Sequence, residues 1–250
     1  SALGNDKGGS NNFGTVTNLA AIDQSIDTCI NNYPTFNSLD NFYNDDTLSQ
    51  ANQTMTGNSQ QAHRIGTIGL SAGKWYWEVR ASTWQTANQS GVGIAAEGPT
   101  ATDYEFYNQS GTIVGYAYYS NGAVYGNGST IVSGGGYTFN NASSIIVGVA
   151  LNLTDNKLAW SHNGTWQGST DPGAGTTNML AITAPSSTKN GVYFPACKQK
   201  TNNRVLDINF GSPGFSISSS NADANDHGNF EYEVPSGYFA INTKNLAEYG

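Results

Sequence analysis

The feature that most limits what this chain can fold into is a period of two in its apolar residues. In 73–80, GKWYWEVR, an extended backbone places Trp75, Trp77 and Val79 on one face and Lys74, Tyr76, Glu78 and Arg80 on the other. The same alternation returns in 151–167, LNLTDNKLAWSHNGTWQ, where Leu151 and Leu153 precede a turn at Thr154-Asp155-Asn156 and Leu158 and Trp160 follow it. Asp and Asn tolerate left-handed backbone and bond their own main chain, so this triplet reads as a turn, and Asn163-Gly164 is a second, stronger one. The stretch is therefore a three-strand meander. His162 stands beside the Asn-Gly turn with no second His or Cys at ligand spacing, and is expected to be an exposed turn residue.

Further strands are predicted at 64–68, 91–95, 114–118, 137–139, 145–153, 157–161, 191–195 and 205–210. Turn signals separate them and no segment sustains a helical period. The fold class expected is all-β, an antiparallel sandwich. At 250 residues the chain can bury a substantial core. Residues 1–60 read as an irregular lead-in with short strands near 47–49 and 53–55, whose Tyr33, Phe36, Leu39 and Phe42 dock on the sandwich or on a neighbouring copy. Residues 61–220 form the sandwich. Residues 221–250 close against it, with a linker from Thr243 onward.

Composition removes several functions. The net charge is −8 and only 10 residues are Lys or Arg, so the basic footprint that a phosphate backbone needs is missing and nucleic acid is not an expected partner. No apolar run approaches the roughly 18 residues of a spanning helix, so no membrane insertion is expected. The chain begins at Ser1 and stops at Gly250 after a continuing segment, which reads as a processed chain or a portion of a longer one. Two cysteines, Cys29 and Cys197, are far apart; two buried thiols are preferred, with a disulfide as the alternative. Seven Asn-x-Ser/Thr sequons occur, many of them expected by chance in a chain so rich in these residues, and they carry little weight.

Taken in order, 73–79, Gly91-Val92-Gly93-Ile94-Ala95, 146–153, Lys157-Leu158-Ala159-Trp160-Ser161-His162-Asn163-Gly164, Tyr193-Phe194-Pro195-Ala196 and Asn209-Phe210-Gly211 resemble the SPRY domain family over about residues 60–216. The resemblance implies a concanavalin-like sandwich of two bent antiparallel sheets and a binding module without catalytic residues. The acidic residue that often precedes the Ile-Gly-Val-Ala-type strand is replaced by Ala142-Ser143-Ser144. Contact loops vary freely in that family, so no binding residue carries over. The flanks, Asn11-Asn12-Phe13, Asp27-Thr28 and Asn31 to Asp40 before the sandwich and Pro235 to Leu246 after it, are similar to modules of marine bacteriophage structural proteins such as tail fibres.

Glycoside hydrolysis needs two carboxylates facing each other across a cleft. Glu78 stands alone on its strand, Asp207 alternates with Asn209, and Glu231 with Glu233 lies outside the core motifs, so no enzyme is expected. Asp23, Asp27, Asp40, Asp45 and Asp46 lack the spacing of a calcium loop and read as solvated turn acids; no metal and no cofactor is expected. Binding is the class the residues favour. Trp84, Tyr104, Phe106, Tyr107, Tyr119, Tyr125 and Trp166 fall in or beside predicted loops, where flat aromatic faces stack on sugars or grip a peptide. The expectation is a non-enzymatic virion or fibre module at the virion surface or outside the cell. It would assemble with copies of itself or other virion proteins and adhere to a host-surface glycan or protein. A secreted or cellular lectin-like module is the alternative.

Overall fold

Extended segments with one apolar face cannot stand alone in water, and here they pair edge to edge into two layers. A computed structural model describes residues 27–40, 44–84, 90–98, 114–138, 142–200 and 204–250. Its strands are β1 (Asn44–Ser49), β2 (Thr54–Ile65), β3 (Lys74–Trp84), β4 (Ser90–Ala95), β5 (Gly115–Tyr119), β6 (Val124–Gly126), β7 (Ser129–Val132), β8 (Ala142–Asn152), β9 (Lys157–His162), β10 (Thr165–Trp166), β11 (Leu180–Ala181), β12 (Phe194–Lys200), β13 (Val205–Asn209) and β14 (Phe239–Ala240), followed by helix α1 (Thr243–Tyr249).

Hydrogen bonding runs β10-β9-β8-β3-β13-β2-β12-β4-β5-β6-β7. Pairing is antiparallel except where the short β14 lies parallel to the start of β3. β2 joins the layers: Thr54 to Thr56 pair with β13, whereas residues 61–65 pair with β12. The layers face each other across Trp160, whose indole Nε1 donates to the Val92 carbonyl of β4 at 3.0 Å, and across the tilted Tyr118 and Trp160 rings, 6.4 Å apart. The fold is an all-β antiparallel sandwich.

The predicted inner face holds. Trp75, Trp77, Val79, Leu158 and Trp160 are fully buried, and burying a large aromatic contributes roughly 4–6 kcal/mol at about 25 cal/mol per Å². The opposite face of β3 is not open either. Tyr76 and Glu78 are buried beneath the C-terminal segment, so the polar half of the alternation marks a second covered surface.

Several expectations need correction. β2 is one continuous twelve-residue strand, where the pattern suggested separate pieces at 53–55 and 64–68. Tyr137 lies in a bend, and β6 and β7 supply the edge instead. His162 is buried, its Nδ1 3.3 Å from the Tyr118 hydroxyl, and burial lowers its pKa. The turn at Asn163 (φ 48°) and Gly164 (φ 77°) is tight enough that β9 continues through residue 162. The period of two from Leu158 and Trp160 then directs His162 inward.

In the lead-in, Tyr33 and Phe36 join the core, while Leu39 is 86 % exposed and Phe42 lies outside the described residues. Asp46 is no solvated turn acid: it takes Arg64 Nε and Nη2 at 3.0 Å each, in a nearly buried pair. Asp27 caps the Tyr33 amide at 2.8 Å, and burial raises Asp40 to about 6. Asp23 and the Asp45 side chain lie outside what is described. Both thiols are free, Cys197 buried and Cys29 exposed, so the paired-burial reading fails for Cys29. From Thr243 the chain is helical and not a linker. The Asn242 side chain accepts from the Asn245 amide at 2.9 Å as N-cap, and Tyr249 stacks on Phe239 at 3.9 Å.

Candidate functional site

Strand register draws one line of residues across the outer face of the first sheet. Asn209 pairs with Glu78, Glu78 with Gly148, Gly148 with Ser161, and Ser161 with Trp166, from β13 through β3, β8 and β9 to β10. Gly148 matters because it has no side chain. A Cβ there would lie 2.5 Å from Ser161 Oγ and 2.9 Å from the Tyr76 hydroxyl, so glycine leaves these two groups room at the centre of the row.

Glu78 anchors one wall. Its Oε1 accepts from the Tyr76 hydroxyl at 3.0 Å and the Tyr232 amide at 2.8 Å; its Oε2 accepts from the Glu231 amide at 3.0 Å and from Asn209 Nδ2 at 3.4 Å. Burial pushes the Glu78 carboxyl upward, against the four donors that favour its charge. The same burial, with the Glu78 charge beside it, pushes the Tyr76 phenol well up. The carboxylate thus pins 231–232 over the sheet.

Between this wall and the β9–β10 turn lies a cavity of about 380 Å³. Tyr76 and the buried Ser161 form part of its floor, and half-buried Trp166 and Tyr232 its sides, with Asp171, Glu233 and Ser236 exposed at the rim. The Tyr76 ring packs edge-on to Trp166 at 6.4 Å and to Phe230 at 5.1 Å. Gly164 abuts the Tyr232 ring, where a Cβ would come within 2.6 Å, so the turn glycine also lets the wall close. Asp171 Oδ1 accepts from the Ala174 amide at 3.2 Å and holds its own loop. Such a site offers π-faces and hydrogen-bond acceptors to a small group. Among the described residues no group of three His, Cys, Asp or Glu is placed to hold a metal.

Of the aromatic residues expected to make contacts, Trp166 stands at this cavity. Tyr119 and Tyr125 belong to strands β5 and β6 and not to loops. Tyr119 is fully buried, edge-on to Tyr125 at 5.2 Å, with the Lys198 ammonium 5.3 Å from its ring centre. Trp84 ends β3; Tyr104, Phe106 and Tyr107 lie outside the described residues. Tyr76, Ser161, Asp171, Tyr232 and Glu233, which also line the cavity, are not among the expected contact residues. One signal for them was present: Gly148 interrupts the apolar run Ile146-Val147-Gly148-Val149, as a glycine does where a strand is approached closely.

No family model matches the chain, and no curated protein matches it. Among solved structures it is similar to the SPRY domain of human HERC1, with a TM-score of 0.47 and 13 % identity over 69 % of this chain and 96 % of that one. It is also similar to the TRIM65 PSpry domain, with a TM-score of 0.46 and 16 % identity over 71 % of this chain and 92 % of that one. Stonustoxin matches with a TM-score of 0.47 and 16 % identity over 70 % of this chain, but only 27 % of that longer chain. These are likenesses of fold alone.

Proposed function

We propose that the chain is a binding module that turns nothing over, an exposed part of a virion or fibre that holds a host-surface partner in the cavity between the β9–β10 turn and the C-terminal segment. The observation that carries this reading is the cavity itself, with its Trp166 and Tyr232 sides, acceptor-rich rim and floor built on paired strands. Glu78, the carboxylate beneath the floor, has both oxygens engaged by structural donors. Asp171 and Glu233 stand at the exposed rim, whereas a hydrolytic acid needs burial to hold its proton. The virion setting rests on the resemblance of the flanking segments, and repeated copies there would convert weak contacts into avidity. A lectin-like module on a secreted or cellular protein is the second reading, favoured by the half-buried Trp166 indole, which presents a face for a sugar ring.

The test uses the purified chain and its Trp166→Ala variant on a glycan array and a short-peptide array. Mass spectrometry of the array compounds follows. The expected result is binding by the wild type that the variant loses while its circular dichroism stays native, with every compound intact. Binding retained in Trp166→Ala but lost in the Tyr104→Ala, Tyr107→Ala double variant would move the contact surface to that loop and overturn the cavity. Cleavage of any compound would overturn the non-enzymatic reading.

A further inference from the structure

We infer that the cavity is a receptor for one Lys or Arg side chain presented by a protein partner, an inference that rests on the binding reading above and narrows it to a ligand class. The charged side chains around the cavity, Asp171 and Glu233, are acceptors, and its Ser161, Tyr232 and Ser236 hydroxyls can accept as well as donate. The Tyr76 hydroxyl already donates its proton to Glu78 Oε1, which leaves its oxygen only as an acceptor. The Asp171 and Glu233 carboxylates accept, and among the described residues no Lys, Arg or His lines the cavity. Ser161 Oγ, in a residue 1 % exposed, has no hydrogen-bond partner among the described residues. An unmatched buried hydroxyl is costly unless a ligand completes it.

An ammonium carries three donors and no acceptor, and a guanidinium five and none, so either head group matches such a lining. A sugar hydroxyl brings an acceptor with every donor, and a phosphate or carboxylate meets only like charge. The π-faces of Trp166 and Tyr232 favour a cation further, and the net charge of −8 draws one in from solution. Gly148 completes the geometry: Ser161 Oγ and the Tyr76 oxygen flank the same point on the sheet.

The experiment follows the Trp166 indole N–H resonance of the full chain, assigned with Trp166→Phe, during titration with Gly-Gly-Arg-Gly-Gly and its lysine counterpart. The citrulline peptide, which keeps the shape of arginine without its charge, and methyl glucoside are run in parallel. The arginine and lysine peptides are expected to shift the resonance in a salt-sensitive way, and citrulline and glucoside to leave it in place. Asp171→Asn with Glu233→Gln should weaken the arginine peptide roughly tenfold. Ser161→Ala should weaken it at unchanged melting temperature, since among the described residues that hydroxyl has no partner to lose. Equal binding of citrulline and arginine overturns the inference. A shift with glucoside and none with the cations overturns it too, but leaves the cavity standing as a binding site for a neutral sugar. Silence with every probe overturns the inference, and the array experiment then decides the broader reading separately.

Discussion

At the scale of the residue, burial decides how a titratable group behaves. His63 lies wholly inside β2, and burial, followed by the charges of Lys198 and Arg64, lowers its pKa to about 3 from an ordinary 6.5. A folded-state pKa below the unfolded value means that only the unfolded chain takes up the proton as pH falls through 6.5. His63 therefore costs no stability above that pH, and below it stability is lost by about 1.4 kcal/mol per pH unit until the folded pKa is reached. Asp40, raised to about 6, and Glu78, also raised, act in the opposite sense, because the folded chain protonates them first. Comparing urea midpoints of wild type and His63→Gln over this range cancels those two groups. The wild type is expected to lose stability toward acid more steeply than the variant; parallel curves would show that His63 takes up its proton in the folded state.

At the scale of the element, the C-terminal segment behaves as a clamp. Glu78 receives two of its amides, and Asp223 receives the Ala240 amide at 2.9 Å and Asn245 Nδ2 at 2.7 Å, so one carboxylate fixes the wall and the other the approach to α1. Phe230, Tyr238 and Ile241 enter the core between these points. Glu78→Gln would turn an amide NH₂ toward N–H groups that need an acceptor, leaving at least one buried donor unmatched at a cost of about 1–3 kcal/mol. The expected outcome is a lower urea midpoint together with faster hydrogen exchange at the Glu231 and Tyr232 amides. Faster exchange there without any change in midpoint would make the clamp a local latch and not part of the global fold.

At the scale of the whole molecule, two layers share β2 and no covalent crosslink closes them. Cys197 points into the core from β12, where burial pushes its thiol up, and Cys29 is exposed in the lead-in. A thiol reagent should therefore modify one cysteine in the native chain and two after denaturation, and a reductant should leave the melting temperature unchanged. Rapid native modification of both would mean that the layers open around Cys197.

The strands of the meander, the inward set Trp75, Trp77, Val79, Leu158 and Trp160, and the Asn163-Gly164 turn were legible from the residues alone, because a period of two and left-handed turn chemistry are local properties of the backbone. The same rule, followed two residues further, would have placed His162 inside. The cavity was not legible in this way. Its floor depends on a register that pairs Asn209 with Glu78, 131 positions apart, and sets Gly148 and Ser161 beside them. Local pattern says which face a residue takes, but not which distant residue stands next to it. Nor does an aromatic side chain announce whether it will be core or surface. Tyr119 and Trp166 look alike in a polar stretch, and what separates them is the set of side chains packed around each, which only the tertiary structure decides.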